Sequence, residues 1–213
     1  KPIKEITYRE MRELSYAGFS VLHEETHNTV FKANIQVCIK NTNNPSAPGT
    51  IITPSRKDTE PHVTGIAGAT GFCSIYVSKY MMNREVGFGR KLLQILEEEG
   101  ISYEHTPSGI DNISVIINEK QLSKELEEKI MARIKNELSV DDVSITHDLA
   151  LIIIVGEGMK NTIGMAARAT RALSGASINI EMINQGSSEI SIMFGVKADN
   201  CNKAVKALYD EFF

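Results

Sequence analysis

Residues 149–193, LALIIIVGEGMKNTIGMAARATRALSGASINIEMINQGSSEISIM, lie without a gap on residues 72–116, FCSIYVSKYMMNREVGFGRKLLQILEEEGISYEHTPSGIDNISVI, at a constant offset of 77. Ile75, Met82, Gly87, Leu96, Ile101, Glu104, Gly109, Ile113 and Ser114 fall on Ile152, Met159, Gly164, Leu173, Ile178, Glu181, Gly186, Ile190 and Ser191. One fixed spacing predicts two copies of one structural unit. The shared positions mix core-type side chains with glycines and a carboxylate, as expected when turns and a polar site are duplicated along with a core.

The hydrophobic period changes at the same places in both copies. Phe72 to Ser78 and Leu149 to Val155 are β-rich runs, each followed by a glycine-containing loop. Apolar residues then recur at helical spacing, at Phe88, Leu92, Ile95 and Leu96 and at Met165, Ala169, Ala172 and Leu173, which predicts an amphipathic helix on a sheet. Ile101 to Tyr103 and Ile178 to Ile180 read as second strands; Ile113 to Ile117 and Ile190 to Val196 read as third strands after a turn. A second helix follows, striped by Leu122, Leu126, Ile130, Ile134 and Leu138 in copy one and running through Ala204, Val205 and Leu208 in copy two. Val143 to Ile145 offers copy one a fourth strand, whereas copy two ends at Phe213 after its helix. An uncovered sheet edge is costly, so Val63 to Ala67 is expected to supply the missing strand, which makes the two units intertwined.

Composition bounds the partners. The chain has 213 residues, 42% of them hydrophobic, and a net charge of −4, so neither nucleic acid nor an anionic membrane is favoured as a partner. Cys38, Cys73 and Cys201 are dispersed and odd in number; they suggest no disulfide framework or metal knuckle, and a reducing cytoplasm is the predicted location. The longest apolar run, Leu149 to Val155, is too short to span a bilayer. A start at Lys1, running straight into helix-like sequence, suggests a piece of something longer.

The βαββαβ order, duplicated, with Val155-Gly156-Glu157-Gly158-Met159, Gly164, Ile178-Asn179-Ile180 and Gln185-Gly186-Ser187-Ser188-Glu189-Ile190-Ser191-Ile192, resembles the ACT domain at the C-terminal end of aspartokinases. Tyr8-Arg9-Glu10-Met11, Gly18-Phe19-Ser20-Val21-Leu22-His23, Asn34-Ile35-Gln36-Val37, Asn41-Thr42, Pro45 and Gly49-Thr50 resemble the end of that family's kinase domain. The resemblance implies an α+β fold: two intertwined ferredoxin-like ACT domains after a short α/β remnant of the amino-acid-kinase domain. Its boundaries place the kinase remnant at 1–53, a linker at 54–62, a contributed strand at 63–67, the first ACT domain at 68–146 and the second at 147–213. It further implies the regulatory region of an enzyme that makes 4-phospho-L-aspartate from ATP and L-aspartate. ATP and Mg belong to the full-length enzyme; no cofactor, metal or catalytic residue is expected in this piece, since the family's lysine-glycine-glycine phosphate site lies upstream. The implied partners are an end-product amino acid, lysine first and threonine second, and a second copy of the chain in a homodimer. A stand-alone ACT-type binding or dimerisation protein without kinase activity is the alternative.

A free amino acid needs an acidic partner for its ammonium and unpaired N–H groups for its carboxylate. The turn Glu85-Val86-Gly87-Phe88-Gly89 opens a helix, whose N-terminus favours an anion, and Glu104 is the candidate for the ammonium. By resemblance to lysine-sensitive aspartokinases, Met82, Glu85, Phe88, Gly89, Tyr103, Glu104, Asp111 and Asn112 occupy effector positions. Asp111-Asn112 stands where serine-glutamate is common in that family, after a turn, Thr106 to Ile110, that looks longer than usual. Met82 and Phe88 also suit a core, and Asp111 and Asn112 suit a plain turn. His23-Glu24-Glu25-Thr26-His27 fits a zinc-peptidase string without a third ligand at the expected spacing, and Gly156-Glu157-Gly158 lacks the third glycine of a dinucleotide loop; neither is taken as a site.

Overall fold

The computed structural model describes residues 2–18, 30–33, 35–56 and 60–213. The zinc-like string at 23–27 lies outside the described residues. Two compact units divide the chain: a terminal unit of Lys1–Ala69 with Leu151–Phe213, and a central unit of Thr70–Ala150.

The terminal unit opens with β1 (Glu5–Thr7) and α1 (Tyr8–Tyr16), followed by β2 (Val37–Ile39) and β3 (Thr50–Thr53). Parallel β1 and antiparallel β2 flank β3 in a three-stranded sheet. Thr7 caps α1 reciprocally: its hydroxyl accepts the Glu10 N–H (3.1 Å), and the Glu10 carboxylate accepts the Thr7 N–H (2.8 Å). Two 14-residue strands, β4 (Gly65–Ser78) and β6 (Asp142–Val155), pass through both units. In the terminal unit, the first residues of β4 and the last of β6 form a sheet in the order β4-β6-β8-β7, with β7 (Met182–Asn184) antiparallel to β8 (Ser191–Lys197). The helices α4 (Met165–Gly175) and α5 (Cys201–Phe212) pack together, and the apolar run Leu151 to Val155 is wholly buried.

In the central unit the order is β5-β4-β6, β5 (Asn112–Asn118) running antiparallel to β4 in a register from Phe72↔Asn118 to Ser78↔Asn112. Ile75, Val77, Val115 and Ile117 from the strands meet Leu92, Ile95 and Leu96 of α2 (Phe88–Glu98) and Ile130 and Ile134 of α3 (Lys124–Leu138) in one core. Arg133 of α3 binds Glu98 and Glu99 at the end of α2, at 2.5 and 2.8 Å. The long strands begin alike in the two units: Asp141 donates to the Ser78 carbonyl (2.9 Å), and Thr64, 77 residues earlier, donates to that of Val155 (2.8 Å).

The structure corrects two expectations. Ile101 to Tyr103 and Ile178 to Ile180 are not strands. Each isoleucine closes the preceding helix: Ile101 N–H donates to Leu96 and Ile178 N–H to Leu173, across left-handed Gly100 (φ 72°) and Ser177 (φ 53°), and both side chains are buried. This Schellman geometry demands an apolar residue just past the helix, which imitates the start of a strand. The pairing that follows is the bridge His105↔Ile116 in the central unit and β7 in the terminal one. The repeat is also not gapless in space. Glu104 and Glu181 are 77 apart, but the carbonyls that accept their N–H groups, on Ile116 and Gly195, are 79 apart. The longer turn is therefore in copy two, and Asp111 corresponds to Ile190 rather than Ser188: Lys79 N–H donates to Asp111, Gly156 N–H to Ile190.

Candidate functional site

At the end of β4 the central unit gathers most of the expected effector residues. Lys79 N–H donates to the Asp111 carbonyl (2.9 Å), tying the loop after β4 to the residue before β5. The chain turns through Met81 (φ 60°) into a 3₁₀ turn, Met82–Arg84, and enters α2 through Gly87 (φ 79°), a left-handed position that favours glycine. No side chain caps α2, and the N–H groups of Gly89 and Arg90 in its first turn have no acceptor within the helix. A Cβ at Gly89 would meet nothing within 4 Å, so this helix end faces open space. Val86, 94% exposed, and the exposed Tyr80 and Ile110 are an apolar fringe to the loops.

Glu85 holds two cations. The Lys79 ammonium donates to Glu85 Oε2 and to the Leu138 carbonyl, both at 2.6 Å, and lies 5.6 Å from the centre of the Phe88 ring; the Lys91 ammonium donates to Glu85 Oε1 at 2.8 Å. These hydrogen bonds, that from Lys79 foremost, hold the Glu85 carboxyl below its usual range. Asp111 supplies the opposite situation: its Oδ1 is buried and accepts no hydrogen bond. A buried carboxylate oxygen without a donor is costly and attracts a cation.

The remaining expected residues divide. Met82 and Phe88 are buried members of the central core, and Asn112 pairs with Ser78. Glu104 is half-buried beside Ile116, roughly 13 Å further along β5 than Asn112, with exposed Tyr103 next to it, so within the chain these two stand apart from the α2 terminus. Lys79 was not legible from the repeat, because its copy-two counterpart is Gly156; Lys91, whose counterpart is the cation Arg168, carried a signal in its repeated charge. Among the described residues no group of three or more His, Cys, Asp or Glu is arranged to hold a metal, and no helix is long and apolar enough to cross a membrane.

Residues 152–212 match the ACT domain family. The whole chain is 59% identical over 213 residues to aspartokinase 3 of Bacillus subtilis, spanning 47% of that protein. It superposes along its full length on 49% of the aspartate kinase of Clostridium acetobutylicum with a TM-score of 0.93 and 45% identity. Along its whole length the chain is similar to aspartokinases. The part it matches is the C-terminal regulatory portion, about half the length of these aspartokinases. Aspartokinase III of Escherichia coli in complex with lysine and aspartate shares the fold, with a TM-score of 0.78 at 21% identity, 100% of this chain covering 47% of that one. The duplicated α+β architecture is thus that of an aspartokinase regulatory region.

Proposed function

We propose that this chain is the regulatory portion of an aspartokinase that makes 4-phospho-L-aspartate from ATP and L-aspartate, and that it binds an end-product amino acid, lysine first, as a feedback inhibitor. On this reading residues 1–53 end the kinase domain, 54–62 link it, 63–67 complete the second ACT domain, 68–146 form the first and 147–213 the second. ATP and Mg act in the upstream half.

The observation that carries the reading is the uncapped, glycine-opened end of α2 together with the unpartnered carboxylate oxygen of Asp111, whose carbonyl is tied to Lys79 in the loop leading to that helix. The effector's carboxylate is received by the N–H groups of Gly89 and Arg90, assisted by the helix dipole. Its ammonium goes to Asp111. Glu85, occupied by two lysines, fixes the loop instead of receiving ligand. Glu104, distant from α2 along β5, is a partner only for a ligand's far end or for a site completed by a second copy. The lysine bound to the E. coli relative supports an amino-acid effector. The exposed Tyr80, Val86 and Ile110 around the site favour a homodimer built there, which links association to effector binding. An effector shifts such an enzyme only by its differential affinity for active and inactive arrangements, typically about 1–3 kcal/mol.

Calorimetric titration with lysine, threonine and methionine at two protein concentrations tests this. Saturable lysine binding that Asp111→Asn weakens at least about tenfold is the expected result, the cost of one charge-assisted hydrogen bond. Undiminished binding in that variant refutes the site.

A further inference from the structure

The terminal unit contains a second cleft, of about 530 Å³, lined by Thr7 and Arg9 at the start of α1, by Arg56 and His62, and by Glu157 and Lys160 in the loop after β6. That volume is in the range of small-molecule sites, about 300–1,000 Å³. Arg56 is the informative residue. Its side chain is 6% exposed; Nη2 donates to Glu10 Oε1 at 3.1 Å and Nη1 to the Glu5 carbonyl at 3.4 Å, while Nε has no acceptor. Glu10 is shared, because the same carboxylate also accepts from the Thr64 hydroxyl (2.6 Å), the Glu157 N–H (2.8 Å) and the Thr7 N–H (2.8 Å). His62 Nδ1 is also buried without a partner. The exposed Arg9 and Lys160 also line the cleft, and among the described lining residues the one carboxylate is Glu157, which accepts from the Thr7 hydroxyl at 3.3 Å. Three cations, one of them ion-paired with the buried Glu10, thus line the cleft with the opening turn of α1 and one paired carboxylate.

In the duplicated frame the loop 157–162 is the copy-two counterpart of 80–85, which leads into the α2 terminus in the central unit. We propose that in copy two this loop and α1 together bind a multivalent oxyanion, a phosphate group either free or at the end of a nucleotide, bridging Arg9, Arg56 and Lys160. Forked guanidinium donors and a nearby ammonium suit such a group. Bound there, the anion pins the 157–162 loop to α1, and so joins the second ACT sheet to the kinase-like segment. The inference does not depend on the amino-acid site.

Titration calorimetry of the 213-residue chain with inorganic phosphate and with ADP, at an ionic strength fixed with sodium chloride, tests it. Saturable 1:1 binding is expected, weakened about tenfold by Arg9→Ala and by Lys160→Ala, whose exposed side chains leave the fold intact, and unchanged by Lys124→Ala on α3. Tighter phosphate binding assigns the site to the free ion, and tighter ADP binding to a nucleotide; both uphold the oxyanion. Failure of both probes to saturate, or full affinity in the Arg9→Ala/Lys160→Ala double variant, overturns the proposal.

Discussion

Replacing Glu10 by alanine removes the acceptor on which four donors from three parts of the terminal unit converge: Arg56, Thr64, the Glu157 N–H and the Thr7 N–H. Glu10 is fully buried and the Arg56 side chain nearly so, so the variant strands a guanidinium in a poorly solvated place. Breaking a buried pair from one side costs about 3–5 kcal/mol, and each of the other lost bonds adds about 1 kcal/mol when not compensated. These effects overlap, so we expect about 4–5 kcal/mol for Glu10→Ala, which is comparable to the whole stability of a marginal domain. Removing Arg56 as well takes away the stranded charge, so Glu10→Ala/Arg56→Ala should recover about 2 kcal/mol relative to the sum of the single changes. Urea unfolding followed by far-UV circular dichroism and tyrosine fluorescence measures this, the chain having no tryptophan. Hydrogen exchange at the Glu157 amide adds a local readout, since that N–H loses its acceptor. A loss below about 1 kcal/mol, as for an exposed ion pair, with Glu157 still protected, would refute the reasoning.

Three further outcomes follow from particular contacts. A Cβ on Gly156 would stand 2.0 Å from the His62 carbonyl oxygen, so Gly156→Ala should cost about 3 kcal/mol in urea unfolding, whereas Gly89→Ala, facing open space, should change stability by less than about 0.5 kcal/mol. Ser177 holds the left-handed position that glycine fills at Gly100, so Ser177→Gly should raise the melting free energy by about 0.5–1 kcal/mol; no gain would contradict the helix-end geometry. His147 sits on Glu119 (2.5 Å) and Glu127 (3.1 Å), and the Glu119 hydrogen bond, against partial desolvation, raises its pKa. A raised folded pKa gives stability that is complete below the unfolded value of about 6.5 and lost as pH rises through the folded value, so the urea midpoint should fall across that window in the wild type and fall less in His147→Ala.

The repeat and the apolar runs revealed the duplicated α+β units because a buried strand such as Leu149 to Val155 and a striped helix such as Phe88 to Leu96 carry their period in the chain itself. The second strands were misplaced for a local reason: Ile101 and Ile178 are apolar because they close a helix, and composition alone does not distinguish that from the start of a strand. The shift of the repeat from 77 to 79 was hidden because Gly109 and Gly186 happen to align within turns of different length. Gly156 resembled part of a nucleotide loop, yet its glycine is required by the close passage of the His62 backbone, a contact made by residues 94 positions away. The candidate site was legible where it lies on one loop, from Met82 to Gly89. Lys79 and the buried Asp111 oxygen depend on the pairing of β4 with β5, and the convergence on Glu10 joins residues up to 147 apart, so both emerge only in the folded chain.

Titration of L-lysine into the chain while following backbone amide shifts tests the central claim most directly, that an amino acid is held between the start of α2 and Asp111. The account predicts saturable shifts centred on Gly89, Arg90 and Asp111, and their loss in Asp111→Asn. Saturable binding whose shifts fall elsewhere, or no response to lysine, threonine or methionine, would contradict it.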